Sequence, residues 1–232
     1  MRLRTDEVHV WQAVLSSKDI ALRNLEDLLS EDEICRSNRF HFEKDRKQFV
    51  ASRGILRTLL GNYLSCPPKE LLFRYNPYGK PFIENKEGLC FNLAHSQDVA
   101  VFGFSIEREI GIDVEQIRQI SDMEVLAARF FCKEETAKLM RLLPSDRCSA
   151  FFRCWTRKEA YIKALGKGLG IDLDQFEVSF SPGEPVALLR SLPGFEEASH
   201  WHLREIPLEP DYVGAVAAEG PEWNLTCFDY TR

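Results

Sequence analysis

The sequence predicts a mixed α+β fold, on three observations. Residues 149–165 place apolar side chains at helical period and stop at Gly166, residues 110–117 alternate at strand period, and segments of both kinds recur along the chain. At 232 residues, 44% hydrophobic and 28% charged, the chain can bury a substantial core as one large domain or two small ones.

Composition also excludes classes of function. A net charge of −6 argues against a nucleic-acid binder, which needs a broad basic face. No stretch approaches the roughly 18 apolar residues of a membrane span, and the first ten residues carry acids where a signal peptide would be apolar, so a cytoplasmic protein without membrane contact is expected. Seven cysteines show no Cys-x-x-Cys pair or zinc spacing and are expected to be reduced and mostly buried.

In chain order, residues 8–15 read as a strand and residues 19–29 as a short amphipathic helix. Ser30 to Glu33 form a capping box that starts a helix leading to Arg36 and Arg39. From Arg36 to Arg57 seven Lys or Arg face two acids, so an acidic protein holds one cationic segment. On the helix over 45–60, Arg46, Arg53 and Arg57 fall within a stripe of about 40°, an arrangement suited to a compact phosphate ligand although equally common as a solvated face. Residues 75–81 form a Pro- and Gly-rich turn presenting Lys80, and a strand over 89–93 leads to His95 and Ser96 at its end.

Residues 99–105 and 110–117 read as a hairpin bending at Glu107 and Arg108. In its second strand Ile110, Ile112 and Val114 point one way and Gly111, Asp113 and Glu115 the other, so the two carboxylates sit about 7 Å apart at Cα, a mount for a hard cation. Helices are expected over 122–131 and 133–142, then a surface break at 144–147. The helix over 149–165 carries an aromatic face with Glu159 and Lys163 four residues apart at its edge and Lys158 inside the apolar arc. Alone, such a pair is an ordinary helical ion pair with Lys158 snorkelling. Strands are expected over 175–181, 201–206 and 212–218. The glycines of residues 166–170 follow a helix instead of preceding one, which reads as a helix stop and not a phosphate loop.

A strand carboxylate pair, a Glu-x3-Lys helix edge, a strand-end histidine and a cationic helix together describe Mg²⁺-assisted phosphate chemistry. In Gly111-Ile-Asp-Val-Glu115, Trp155-Thr-Arg-Lys-Glu-Ala-Tyr-Ile-Lys163, Phe91-Asn-Leu-Ala-His-Ser96 and Gly79-Lys-Pro81, the chain resembles the 4′-phosphopantetheinyl transferases of the surfactin-synthetase-activating type. The motifs span residues 36–170 in the family's order.

The resemblance implies a pseudo-dimer of two similar α+β halves, 1–107 and 108–232, with the active site in the cleft between them. It implies transfer of the phosphopantetheine arm of coenzyme A to a serine of an apo acyl or peptidyl carrier protein, with release of adenosine 3′,5′-bisphosphate. Asp113, Glu115 and Glu159 would hold Mg²⁺, Glu159 would take the serine proton, and Lys163 would steady phosphate charge. Arg36, Lys80 and His95 would contact coenzyme A, with Arg53, Arg57 and Lys158 as helpers. Ala94 stands where many relatives carry serine, and Gln48 where the family has a basic residue. A cleft made within one chain leads to the expectation of a monomer. The rival readings are another Mg²⁺-dependent phosphoryl enzyme such as a nuclease, which the net charge disfavours, and a catalytically silent carrier-binding protein, which the acids and Lys163 disfavour.

Overall fold

The structure, a computed structural model, describes residues 1–18, 20–85, 87–192 and 197–230. Strand β1 (Glu7–Val14) buries Val8 and Val10 completely. Helix α1 (Leu22–Glu26) and helix α2 (Glu31–Ser37) follow, the latter opened by the reciprocal Ser30/Glu33 capping box. The 22-residue α3 (Glu43–Leu64) buries Val50, Ile55, Leu56, Leu59 and Leu60. A small pair, β2 (Arg74–Tyr75) and β3 (Pro81–Phe82), precedes the antiparallel β4 (Leu89–Ser96) and β5 (Val99–Ile106).

The second half repeats this order with β6 (Ile110–Gln116), α4 (Met123–Phe130), α5 (Lys133–Arg141) and the 22-residue α6 (Pro144–Leu165). Then come the short pair β7 (Glu177–Val178) and β8 (Leu188–Arg190), followed by β9 (Trp201–Glu205), β10 (Tyr212–Glu219) and β11 (Asn224–Asp229). One sheet runs β11-β1-β5-β4 and the other β6-β10-β9. In both, the opening strand and the penultimate strand flank the last strand of the unit, and all these pairings are antiparallel. Each long helix ends at a left-handed residue, Ser65 or Gly166. The chain's last strand, β11, crosses back to pair in parallel with β1 of the first sheet.

A matching buried ion pair marks the two halves as structural copies. Arg57 and Lys158 are each the fifteenth residue of their helix. Arg57 meets Glu33 Oε2 at 2.6 Å, and Lys158 meets Glu135 Oε2 at 2.7 Å. Both glutamates close a capping box as the third residue of their helix, α2 or α5. Each cation then ties down the segment beyond its helix: Arg57 donates to the carbonyls of Pro68 and Leu71, and Lys158 to those of Leu173 and Phe176. Such pairs are tolerated in a core because every charge finds partners.

The two halves meet through an apolar layer that includes Val8, Val10, Val101, Ile110, Ile112 and Val114. β6 lies at the edge of its sheet beside β4, and β4 side chains reach across to its backbone. Asn92 Oδ1 accepts from Ile112 N at 2.9 Å, and Ser96 Oγ accepts from Gln116 N at 3.2 Å.

Several expectations need correction. Residues 99–105 and 110–117 are not a hairpin: β5 has β1 and β4 on its two edges, so β6 must leave for the second sheet, where it pairs with β10. The expected surface break at 144–147 is the first turn of α6, because Pro144 at the start of a helix gives up no needed hydrogen bond. β4 runs through His95 and Ser96. The helix expected over 19–29 covers Leu22–Glu26, and Asp19 lies outside the described residues. Of the cysteines, Cys132 and Cys154 are buried, Cys35 is exposed, and the others are half-buried.

Candidate active site between the halves

The side chains that carry chemistry are brought together by one close approach. In β6 the residues opposite the Ile110, Ile112, Val114 face look at α6, and at Gly111 the strand backbone presses on the helix backbone. A Cβ there would lie 2.1 Å from the Ala160 carbonyl oxygen and 2.2 Å from Ala164 N. That contact sets Asp113 and Glu115 beside Glu159 and Lys163.

Asp113 is buried, and its Oδ1 accepts from Lys163 Nζ at 2.6 Å. Its Oδ2 is buried without a hydrogen-bond partner. Burial pushes the Asp113 carboxyl up to about 7, with Glu159 and Glu115 adding repulsion and Lys163 opposing. Glu159 is also raised, first by burial and then by Glu115, again against Lys163. Glu115 accepts from Ser96 Oγ at 2.8 Å and from Arg118 at 3.3 Å. His95, at the exposed end of β4, is held below its ordinary value by desolvation and by Lys163, against Asp45 and Glu115.

A cleft of about 270 Å³ opens at this point. Glu159, Ile162 and Lys163 of α6 form one wall. Tyr78 to Pro81, with Asn92 and Leu93, form the opposite wall from the first half.

The acids suit a hard divalent cation. They are oxygen donors, Glu115 adds to the raised proton affinity of both Asp113 and Glu159, and Asp113 Oδ2 lacks a donor. Among the described residues no three His, Cys, Asp or Glu groups converge into a ready metal cluster. Lys163 is the present partner of Asp113.

The cations expected to bind coenzyme A fall into two groups. His95, Lys163 and Lys80 reach the site region, although Lys80 Nζ is engaged by Glu109 at 2.7 Å and the Ala164 carbonyl at 3.0 Å. Arg36 is exposed and lies over the Phe49 ring. The structure does not bring Arg53, Arg57 or Lys158 to the cleft. Arg53 and Arg57 are buried on Glu33 and over Phe73, and Lys158 is fully buried on Glu135, so none can meet a ligand without unfolding its surroundings. Arg46, the third member of the stripe, pairs with Glu26. Stripe geometry on a helix cannot tell a solvent-facing row from one that meets a buried acid of another helix. Sequence reasoning read Glu33 as a cap alone, and it passed over Glu135, Asn92 and the strand contact of Ser96. The signals were local: Asn92 and Ser96 stand in the quoted strand motif, and Glu135 lies in the charged first turn of α5.

Residues 109–217 match the family model of the 4′-phosphopantetheinyl transferase superfamily, and residues 10–106 match the model described as 4′-phosphopantetheinyl transferase, N-terminal. The chain is similar to the 4′-phosphopantetheinyl transferase HetI of Nostoc sp., at 41% identity over 99% of this chain and 95% of that protein. It is also similar to the 4′-phosphopantetheinyl transferase Sfp of Bacillus subtilis, at 30% identity over 85% of each. A holo-(acyl-carrier-protein) synthase structure from Bacillus anthracis overlaps 48% of this chain and 95% of its own, at 23% identity and a TM-score of 0.40. From these family matches and relatives, the chain belongs to the 4′-phosphopantetheinyl transferase family.

Proposed function

We propose that this phosphopantetheinyl transferase binds coenzyme A in the cleft between its halves and moves the phosphopantetheine arm to a serine hydroxyl of an apo acyl or peptidyl carrier protein, leaving adenosine 3′,5′-bisphosphate. The observation that carries the reading is the grouping of Asp113 and Glu115 with Glu159 and Lys163, the last two of which line that cleft, with Asp113 Oδ2 buried and unpartnered. Asp113, Glu115 and Glu159 would hold Mg²⁺, which supplies charge neutralisation on the pyrophosphate. Glu159, its proton affinity already raised by burial, accepts the proton of the attacking serine. Lys163 exchanges Asp113 for phosphate oxygen as charge builds there. His95, Lys80 and the exposed Arg36 serve the nucleotide end, Lys80 by giving up Glu109.

No helix of the described residues is long and apolar enough to cross a membrane. A cytoplasmic monomer is the reading that goes with a site built from one chain.

The test is mass spectrometry of apo carrier proteins incubated with the purified protein, coenzyme A and Mg²⁺. A phosphopantetheine mass gain on at least one carrier is expected, and no gain across fatty-acid, polyketide and peptidyl carriers would refute the reading. Glu159→Gln should lower turnover by at least about 100-fold, the usual scale for a lost general base, and leave coenzyme A affinity within a few-fold. A variant turning over near the wild-type rate would remove Glu159 from that role.

A further inference from the structure

The cleft wall facing Glu159 and Lys163 is a turn, and one side chain both closes the turn and ties it to the catalytic helix. Asn76 Oδ1 accepts from Tyr78 N and Lys80 N, each at 2.9 Å. The Asn76 backbone completes the loop, its N–H donating to the Lys80 carbonyl and its carbonyl accepting from Gly79 N. That leaves the side-chain Nδ2 free to reach across to the other half, where it donates to the Gly166 carbonyl at 2.6 Å. Gly166 is the left-handed cap of α6, three residues beyond Lys163. The Lys80 ammonium lands two residues back, on the Ala164 carbonyl.

Unpaired carbonyls at a helix C-terminus carry partial negative charge and attract donors, which explains why an amide and an ammonium dock there. The contact is close-fitting: a Cβ on Gly166 would stand 3.2 Å from both Asn76 Nδ2 and Lys80 Cδ. Lys80, Pro81 and Gly166 line the roughly 270 Å³ cleft and also a second one of about 490 Å³, so the docked turn is the partition between them. Asn76 does not line the smaller cleft, so it acts on a ligand there only through the residues it places.

We infer that Asn76 is a positioning residue for coenzyme A: its amide holds the turn against the end of α6 and so fixes the distance from Tyr78 and Lys80 to Glu159 and Lys163. The inference rests on the proposed transferase reading. It places the effect in coenzyme binding and not in the chemical step, because Glu159 and Lys163 are held on the body of α6 by β6, whereas the opposite wall depends on the tie.

Two substitutions separate the tie from the turn. Asn76→Asp keeps the Oδ1 acceptor that closes the turn but removes the Nδ2 donor and sets a carboxylate against helix-end carbonyls. Asn76→Ala loses both functions. The Kd for coenzyme A by calorimetry, and KM and kcat in the carrier-modification assay, should show Asn76→Asp weakening coenzyme binding about tenfold or more, the scale of one cross-half hydrogen bond, with kcat within about threefold of wild type. Asn76→Ala should do at least as much to binding. If Asn76→Asp binds coenzyme A like wild type, the tie has no positioning role, even if Asn76→Ala is too unstable to purify. An equal loss in kcat with unchanged Kd would overturn the inference as well. Wild-type protein that neither binds coenzyme A nor modifies any carrier would refute the transferase reading itself, an outcome distinct from a wild type that works and an Asn76→Asp variant that matches it.

Discussion

Gly111 offers the most direct test of how the site is assembled. Replacing it with alanine puts a methyl group 2.1 Å from the Ala160 carbonyl oxygen, 2.2 Å from Ala164 N and 2.8 Å from the Lys163 carbonyl carbon. A carbon and an oxygen rest no closer than about 3.3 Å, so β6 and α6 must part locally by about 1.2 Å. The obstacle is backbone on both sides, and no rotamer change relieves it. Overpacking of this kind costs typically 1–3 kcal/mol, and the rigid surroundings place Gly111→Ala near about 3, or about 6–12 °C in Tm for a chain of this size. The same displacement separates Asp113 and Glu115 from Glu159 and Lys163. A 1 Å error in such an arrangement can cost about 100-fold in rate. Thermal denaturation followed by circular dichroism gives the first number. Carrier modification at 20–25 °C, where the variant is still folded, gives the second, and Gly111→Val should be worse on both. If Gly111→Ala melts within about 1 °C of wild type and turns over within twofold, the helix–strand contact does not set the site.

Other residues make independent predictions. Lys158→Met leaves the buried Glu135 carboxylate without its cation and should cost about 3–5 kcal/mol in chemical denaturation, while Lys158→Met with Glu135→Gln should recover part of it; a loss of coenzyme A binding in a variant that stays fully folded would instead return Lys158 to the ligand. His9 is buried, with Nδ1 2.7 Å from Tyr63 Oη, which itself accepts from Trp11 Nε1. Burial lowers its pKa, with Glu7 opposing, so folding favours neutral His9. The stability it contributes is complete above the unfolded value near 6.5 and is lost as pH falls through the lower native value; His9→Gln should flatten that part of the stability–pH curve, and an unchanged slope would exclude His9 as its source. Asp113→Asn should abolish carrier modification while leaving the fold intact by circular dichroism, and retained activity would remove Asp113 from the site.

The grouping of the acids with Lys163 was more legible in the sequence than the scaffold. Asp113, Glu115, Glu159 and Lys163 could be grouped because strand and helix periodicities fix which side chains share a face, and β6 and α6 each present that face to the other. The positions of Arg53, Arg57 and Lys158 were not legible, because a cation on a helix is solvated, ligand-bound or buried according to what lies opposite, and Glu33 and Glu135 are far away in sequence. The mistaken hairpin has a similar cause: adjacent alternating segments favour pairing, but β5 already has a partner on each edge, one of them the distant β1. Residues 224–229 were not read as a strand, and their pairing with β1 is the most distant in sequence of those in the first sheet.

The internal repeat explains why the candidate site draws its acids from one of two similar halves. Glu159 and Lys163 are the sixteenth and twentieth residues of α6, and Thr58 and Asn62 hold those places in α3. Thr58 turns its hydroxyl back to the Gly54 carbonyl of its own helix, and Asn62 is exposed. Where β6 offers acids to α6, β1 offers His9 and Trp11 to Tyr63 of α3, aromatic groups joined by hydrogen bonds. The repeated framework therefore serves two ends. In the second half it gathers carboxylates that would repel one another without a cation; in the first half it is filled, and that half supplies the facing wall of Tyr78 to Pro81, Asn92 and Leu93. Both halves keep the buried pair, Glu33 with Arg57 and Glu135 with Lys158, because each needs its long helix locked to the segment that follows, whatever that helix carries on its exposed edge.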